Sequence, residues 1–157
     1  MLIMKIEYAS ELDFQFILDN DRHVSKQLIK NKLKEKEIMI AKDQDNKIIG
    51  WLRYSYFWDN IPFMNMLYIN ENYRNKGIGK KLVEFWEPEM KSKGYELVMT
   101  STLSNEQAQH FYRKLGYKDV GSLLLDDEPL EIIFTKVYNY KLLIHIFLIK
   151  RRKFNFT

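Results

Sequence analysis

Apolar residues recur along this chain with two different periods, and the two periods alternate. Short apolar or alternating runs predict strands at residues 3–8, 38–41, 48–57, 63–69, 95–103, 120–125 and 130–137. Apolar positions at helical spacing predict helices around residues 10–18, 24–36, 77–94 and 104–115. The resulting order, β-α-α-β-β-β-α-β-α-β-β, is typical of a mixed sheet with helices on its faces. The sequence therefore predicts an α/β (α+β) fold.

Particular residue types mark the ends of two of these helices. Pro88 lies inside the third helical pattern, where it removes a backbone hydrogen bond and clashes with the preceding turn. We therefore expect a kink or an early end there, with Gly94 closing the segment. Ser104, with Gln107 three residues later, has the pattern of a capping box at the start of the fourth helix. Gly116 stands where a C-cap glycine belongs.

The second helical segment is predicted to be amphipathic. Leu28, Ile29 and Leu33 share one side, and several lysines occupy the other. We interpret the lysines as a solvated face, with a contact to a substrate or an acidic partner as the lesser alternative.

The composition is that of one globular domain. Of 157 residues, 46% are apolar and 15% aromatic, and the chain is too short for two comfortable domains. The net charge of +4 is a mild excess, so nucleic-acid binding is not expected. Cysteine is absent, which excludes thiol nucleophiles and disulfides, and the three dispersed histidines predict no metal site. No signal-peptide pattern is present near the N-terminus, so we expect a cytoplasmic enzyme.

A basic, glycine-containing turn lies between the fourth predicted strand and the third predicted helix. It contains Arg74, Lys76, Gly77 and Gly79. Glycine lets the backbone turn tightly and approach a ligand closely. The free N–H groups of a helix's first turn point at negative charge, and the helix dipole adds to the attraction. Strand, turn and helix start together predict an anion cradle, for which phosphate is the obvious ligand.

Two motifs give this cradle a family context. The turn lacks the Lys-Ser/Thr ending of a nucleotide P-loop and the third glycine of the dinucleotide fingerprint. Instead, residues 74–79 (Arg-Asn-Lys-Gly-Ile-Gly) resemble the Arg/Gln-x-x-Gly-x-Gly/Ala signature of the GNAT superfamily of N-acetyltransferases. Residues 105–117 resemble the Asn-x-x-Ala-x-x-Phe-Tyr-x-x-x-Gly-Phe/Tyr segment of the same superfamily, in the order that this superfamily shows.

The resemblance covers residues 1–138 and implies both a fold and a cosubstrate. The fold would be a mixed, mostly antiparallel sheet of six to seven strands, flanked by about four helices, with a splayed central strand pair. The cosubstrate would be acetyl-CoA, with no metal. Its implied binding residues are Leu67, Ile69, Arg74, Asn75, Lys76, Gly77, Ile78, Gly79, Lys80, Asn105 and Tyr112. Much of the pyrophosphate contact would come from backbone N–H groups.

Catalytic roles follow from the same resemblance. Tyr112 is the candidate general acid that protonates the leaving thiolate, with packing beside Phe111 as its structural alternative. Asn105 would touch the pantetheine or its thioester end, with a role at the helix N-terminus as the alternative. Direct transfer to the amine is expected, because a chain without cysteine cannot form a thioester acyl-enzyme. A backbone N–H near Leu67 would stabilise the developing oxyanion.

The acceptor side is less defined. The strand before the turn lacks the glutamate that some family members carry there, so the base is either ordered water or a carboxylate from elsewhere. Glu131, as base or amine anchor, and Asp59 are the candidates. We interpret the aromatic residues of the stretch 51–58 as sheet packing, with an acceptor pocket lined by Tyr56 and Trp58 as the alternative. The acidic turn 126–128 favours a small cationic amine, although amino acid, peptide and protein acceptors stay open.

Three functions compete at this point. An acetyl-CoA-dependent N-acetyltransferase is the leading hypothesis, and a non-catalytic acyl-CoA sensor or regulatory domain is the second. The third is a nucleic-acid or membrane-surface binder that uses the apolar and basic tail, residues 139–157. For this tail we favour packing on the domain or a dispensable appendage. The protein is expected to be a monomer or a homodimer.

Overall fold

The computed structural model describes residues 4–139, which contain seven strands and four α-helices. The strands are β1 Met4–Tyr8, β2 Ile38–Asp43, β3 Ile48–Phe57, β4 Ile61–Ile69, β5 Leu97–Leu103, β6 Lys118–Leu123 and β7 Glu131–Val137. The helices are α1 Phe14–Asn20, α2 Lys26–Lys34, α3 Ile78–Ser92 and α4 Ala108–Lys114, and two 3-10 turns lie at Glu11–Asp13 and Glu71–Tyr73. The predicted order of elements and the mixed α/β class are confirmed.

These elements form two compact units. Within the described residues, the first unit comprises residues 4–56 and 63–88, and the second comprises residues 57–62 and 89–139. The tail prediction for residues 139–157 lies, apart from Asn139, outside the described residues. The boundaries proposed for the domain and the splay of the central strands stay predictions.

The first unit is built on the strands β1-β2-β3-β4 in sequence order. β2 pairs antiparallel with both β1 and β3, with Ile40 opposite Trp51. Ile17 of α1 and Ile29 of α2 share a buried core with strand residues that include Ile38 of β2. Gly50 on β3 permits the close approach of β4, because a Cβ atom there would lie 2.8 Å from the Tyr68 carbonyl oxygen.

The second unit is built on the strands β5-β7-β6, in which β7 pairs antiparallel with both neighbours. Helix α4 packs its buried Tyr112 close to Phe134 of β7, with ring centroids 5.8 Å apart. The helix ends at Gly116, whose φ of 89° is a left-handed conformation that glycine adopts without strain. The N–H of Tyr117 then donates to the Tyr112 carbonyl at 3.1 Å, so the prediction of a C-cap glycine is confirmed.

The predicted capping box at the start of α4 is wrong. The helix begins at Ala108, its N-cap is Gln107, and no side chain caps it. Ser104 instead continues the backbone pairing of the strands, since its N–H donates to the Leu130 carbonyl at 2.7 Å. Its own carbonyl accepts a hydrogen bond from Gln109 Nε2 at 2.7 Å. The bonds to Leu130 and Gln109 hold Ser104 in the connection that precedes the helix.

Pro88 does not end α3, which continues to Ser92. Pro88 is exposed, whereas Trp86 and Met90 on either side of it are fully buried. Burial of this apolar helix face offsets the hydrogen bond that proline cannot donate. The helix closes as predicted at Gly94, which has φ of 88°, and the next N–H donates to the Met90 carbonyl at 3.2 Å.

The prediction of a solvated lysine face on α2 is wrong at one position. Lys32 is buried, and its Nζ lies 2.6 Å from Glu37 Oε2 and 2.6 Å from the Tyr54 carbonyl oxygen. Leu28, predicted on the apolar side, is 40% exposed, while Ile29 and Leu33 are buried as predicted. The lysine's flexible aliphatic stem carries its charge to partners that the helical spacing does not reveal.

Candidate active site

The connection between β4 and α3, residues 70–77, forms a compact loop that we call the phosphate loop. Its first half is the 3-10 turn, in which the Asn70 side chain accepts the Asn72 N–H at 3.1 Å. Arg74 is extended, and Asn75 and Gly77 then take left-handed φ values of 60° and 78°. Asparagine and glycine tolerate that region better than other residues, so the sequence itself specifies how the chain turns into the helix.

The first turn of α3 faces this loop. The Lys81 N–H donates to the Gly77 carbonyl at 3.1 Å and is the first hydrogen bond of the helix. The N–H groups of Ile78, Gly79 and Lys80 precede it and therefore lack intrahelical partners. A Cβ atom added to Gly77 would meet no atom within 4 Å, so open space lies beside the loop. Backbone donors, the positive end of a 15-residue helix and this space suit an anion.

The basic side chains of the loop bind backbone carbonyls of the loop and of the strand that precedes it. Arg74 Nε donates to the Ile69 carbonyl at 3.1 Å, and its guanidinium lies 5.8 Å from the centre of the Tyr68 ring. Lys76 Nζ donates to the Asn72 carbonyl at 3.0 Å. These side chains therefore stiffen the loop and add positive charge around it, and the backbone N–H groups supply the directional contacts.

A contact across the fold fastens the phosphate loop to the β2–β3 turn. The Tyr73 hydroxyl donates to Asp43 Oδ2 at 3.0 Å, and Asp43 Oδ1 accepts the N–H groups of Asp45 and Lys47, both at 3.0 Å. The Lys47 N–H, together with Tyr73, holds the pKa of Asp43 below its usual value. No local sequence pattern predicts this pair, because 30 residues separate its members.

Leu67 and Ile69 lie on the last part of β4, where both are half-buried. Two positions apart on one strand, they share a face of the sheet. The Ile69 carbonyl already accepts the Arg74 side chain, so this oxygen belongs to the support of the loop.

In the second unit, Tyr112 lies in an aromatic cluster. Its ring packs against Phe111, Tyr117 and Phe134 with centroid distances of 5.3–5.8 Å. Burial, reinforced by the nearby Glu106 carboxylate and opposed by a hydrogen bond with Thr100, raises the pKa of Tyr112 to about 12. Its hydroxyl therefore keeps its proton at neutral pH and is able to act as a donor.

The β5–α4 connection presents Asn105 to solvent. Thr102 Oγ1 donates to the Glu106 carboxylate, and the Gln109 side chain donates to the Glu106 carbonyl at 3.1 Å. Asn105 does not cap the helix, since the N-cap is Gln107, so that alternative is wrong. The sequence does not single out Thr102 and Glu106, because neither occupies a defined position of the motif.

The remaining candidates, Asp59 and Glu131, belong to the same unit as Tyr112 and Asn105. Glu131 begins β7, half-buried, opposite Leu103 of β5. Asp59 is exposed in the tight turn between β3 and β4. The predicted ligands of acetyl-CoA at positions 67–80 belong to the first unit, and each unit therefore holds part of the predicted set.

Two kinds of feature are absent from residues 4–139. No three histidine or acidic side chains in this range are grouped as a metal site would require. No helix in the described part of the chain is long and apolar enough to cross a bilayer.

Comparison with known proteins relates these features to a family. The model of the acetyltransferase (GNAT) family matches residues 6–117, which include both the phosphate loop and Tyr112. The fold is similar to a GNAT-family acetyltransferase from Bacillus cereus ATCC 10987, with 25% identity and a TM-score of 0.70. That similarity covers 87% of this chain and 99% of the other.

Curated relatives match over a shorter length. Peptidyl-lysine N-acetyltransferase YjaB of Escherichia coli is 30% identical over 64% of this chain and 62% of its own length. D-amino-acid N-acetyltransferase HPA3 of Saccharomyces cerevisiae is 36% identical over 45% of this chain and 47% of its own. The chain thus matches less than two thirds of the length of these relatives.

Proposed function

Because the chain belongs to the acetyltransferase (GNAT) family, we propose that it transfers an acetyl group from acetyl-CoA to a primary amine. The observation that carries this proposal is the phosphate loop, with Gly77 facing open space ahead of unpaired helix N–H groups. The two curated relatives add support, since the names of both describe N-acetylation. The family supports acetyl transfer in general. The amine acceptor is part of the proposal, and the residues of this chain suggest how it acts.

The residues present fit the pyrophosphate of acetyl-CoA. Its negative charge suits the N–H groups and dipole of the helix start, with Arg74 and Lys76 adding positive charge. The pantetheine arm would follow the end of β4 at Leu67 and Ile69. The full proposed set is Leu67, Ile69, Arg74, Asn75, Lys76, Gly77, Ile78, Gly79, Lys80, Asn105 and Tyr112.

Tyr112 supplies the proton in this proposal. When bound, acetyl-CoA supplies the acetyl group as an activated thioester. The phenol of Tyr112 is held neutral by burial and would donate its proton to the departing sulfur. A backbone N–H near Leu67 would face the negative charge that develops on the acetyl oxygen. Transfer is direct, because the sequence contains no cysteine to carry the acetyl group.

The amine must lose a proton before or during attack, since a free alkylamine is an ammonium at neutral pH. Asp59 and Glu131 are the proposed acceptors of that proton, or anchors of the cationic amine, with ordered water as the other possible base. If Asp59→Asn and Glu131→Gln both keep the pH–rate profile of the wild type, neither carboxylate is the base. Their position in the unit of Tyr112 supports testing them first.

A small cationic amine is the proposed acceptor class. The exposed acidic turn at residues 126–128 would attract such a molecule in preference to a neutral one. The relatives act on different acceptors, a lysine side chain in one and D-amino acids in the other, so the panel of amines must cover both kinds.

The test is release of free thiol from acetyl-CoA over a panel of amines. The proposal predicts thiol release that depends on both the enzyme and an amine, with acetylated amine formed in equal amount. Binding of CoA without thiol release on any amine would instead support the sensor alternative.

Two glycine variants test the phosphate loop specifically. Gly77→Ala and Gly94→Ala impose the same strain, because both glycines have positive φ and open surroundings. We expect only Gly77→Ala to weaken CoA binding in calorimetry, by roughly tenfold for a distorted anion site. Equal CoA affinity in the two variants would show that the loop does not hold the cosubstrate.

A further inference from the structure

The turn between β3 and β4 has an unusual conformation for its sequence. The Asn60 N–H donates to the Phe57 carbonyl at 3.3 Å, and the two central residues, Trp58 and Asp59, have φ values of 50° and 62°. Positive φ at both central positions is the conformation of a type I′ hairpin turn, which favours Asn-Gly. Among the described residues with positive φ, Trp58 is the only aromatic one. Its bulky side chain makes this backbone costly.

Folding does not explain this tryptophan. Its side chain is 74% exposed, so the strained conformation is not compensated by burial, and the prediction that it packs on the sheet is wrong. Its ring lies beside that of Phe57, itself 37% exposed, with ring centroids 4.7 Å apart. The turn thus displays two adjacent aromatic rings and, on the next residue, an exposed carboxylate. A strained residue kept at a solvent-facing position suggests a binding role.

The chemistry of the turn favours a cation. The faces of tryptophan and phenylalanine attract ammonium groups, and a neighbouring carboxylate adds charge of the opposite sign. The turn also belongs to the unit that holds Tyr112 and Asn105. It therefore lies in the part of the molecule that carries the proposed acid, although its flanking strands continue into the other unit.

We propose that the turn Phe57–Asp59 selects the acceptor by binding a second cationic group, distinct from the amine that is acetylated. This inference rests on the proposed function and narrows its acceptor to small diamines or polyamines. Trp58 supplies the aromatic face and Asp59 the opposing charge. On this inference Asp59 anchors the second ammonium, and the base for the attacking amine is Glu131 or ordered water. A monoamine of similar length lacks the second ammonium and gains nothing from the turn.

The experiment compares 1,4-diaminobutane with butylamine on the full-length chain. Trp58→Asn removes the aromatic face and places a residue that type I′ turns favour. We expect its thermal midpoint to equal or exceed that of the wild type. The KM for the diamine should rise roughly fivefold, the magnitude of a cation–π contact, while the KM values for butylamine and acetyl-CoA stay constant. Trp58→Tyr, which keeps a ring, should retain most of the selectivity.

The matched control is Leu124→Asn, which removes an 87% exposed apolar side chain from the same unit. It should leave the preference for the diamine unchanged. An unchanged diamine-to-monoamine ratio in Trp58→Asn, or a lowered thermal midpoint that shows a structural role, would overturn the proposal.

A binding measurement separates this inference from the proposed function. Calorimetric titration of 1,4-diaminobutane in the presence of CoA does not depend on turnover. If no amine is acetylated but diamine binding is weakened by Trp58→Asn, the function fails and the turn proposal stands. If amines are acetylated with no preference for diamines, the function stands and the turn proposal fails.

Discussion

At the scale of single residues, the environment of Tyr112 decides what it is able to do. An exposed tyrosine has a pKa near 10, and burial among Phe111, Tyr117 and Phe134 raises the pKa of Tyr112 to about 12. A higher pKa makes the phenol a weaker acid but ensures that it is fully protonated when needed. A hydrogen bond with Thr100 opposes this rise in pKa, because it stabilises the phenolate form, but burial outweighs it.

Tyr112→Phe should lower kcat by roughly a hundredfold, the low end of general acid catalysis, without changing CoA affinity. The buried neighbour Tyr117 provides the control. Tyr117→Phe should change the stability of the fold and leave kcat unchanged. Steady-state kinetics and CoA calorimetry on both variants check this. Equal kcat values in Tyr112→Phe and the wild type would assign Tyr112 to packing.

The raised pKa of Tyr112 also predicts how the stability of the fold changes with pH. The group is protonated in the fold up to about 12, against 10.0 for a free tyrosine. Its contribution to stability is therefore complete below the unfolded value and is lost as the pH rises through the folded one. Below pH 10.0 Tyr112 stays protonated, so a decrease in the acetylation rate below that pH does not come from ionisation of Tyr112.

At the scale of elements, two contacts from adjacent residues hold the middle of the phosphate loop. Arg74 ties it to the end of β4, and Tyr73 ties it to the β2–β3 turn through Asp43. A binding loop that is ordered before its ligand arrives loses less conformational entropy on binding. The loop sequence predicts the turn itself, but these attachments explain why it keeps one shape.

Tyr73→Phe should raise the KM for acetyl-CoA a few-fold, roughly threefold for one hydrogen bond at the surface, and leave kcat unchanged. The reason is that the loop loses a support while Tyr112 is untouched. Asp43→Asn should act in the same direction, because the carboxylate is the shared acceptor. Calorimetry with CoA gives the direct measurement, and an unaltered dissociation constant in both variants would exclude a positioning role.

At the scale of the whole molecule, several carboxylates have lowered pKa values in the fold. They are Glu7, Asp13, Asp43 and Asp119. Glu7 is held by Lys5 and Lys42. For Asp13, burial raises the pKa, but bonds from Ser10 and Lys42 outweigh burial and lower it overall.

Lowered carboxyl pKa values give a stability that is present above the unfolded values, 4.5 for glutamate and 3.8 for aspartate. This stability is lost as the pH falls through the folded values. We therefore expect the free energy of unfolding, measured in urea, to decrease as the pH falls below these pKa values. Lys42→Met should flatten part of the decline, since Lys42 lies 3.0 Å from Asp13 and 3.1 Å from Glu7. An identical acid profile in this variant would contradict the assignment.

The sequence by itself determined the order of the elements, the phosphate loop and the position of Tyr112. These depend on local properties: the period of apolar residues, the left-handed preference of Asn75 and Gly77, and a motif contained within 13 residues. The same local properties predicted the wrong N-cap for helix α4. Ser104 pairs with Leu130, which directly precedes β7, so the N-cap is Gln107.

Only the tertiary structure decided which distant groups meet. The bond from Tyr73 to Asp43 spans 30 residues, the buried ion pair of Arg53 with Asp21 spans 32, and the bond from Lys32 to the Tyr54 carbonyl spans 22. No period or spacing encodes such pairs, because long polar side chains reach partners that only the folded backbone brings near. The strain and exposure of Trp58 were likewise not predictable from the sequence, since both depend on how the chain turns between β3 and β4.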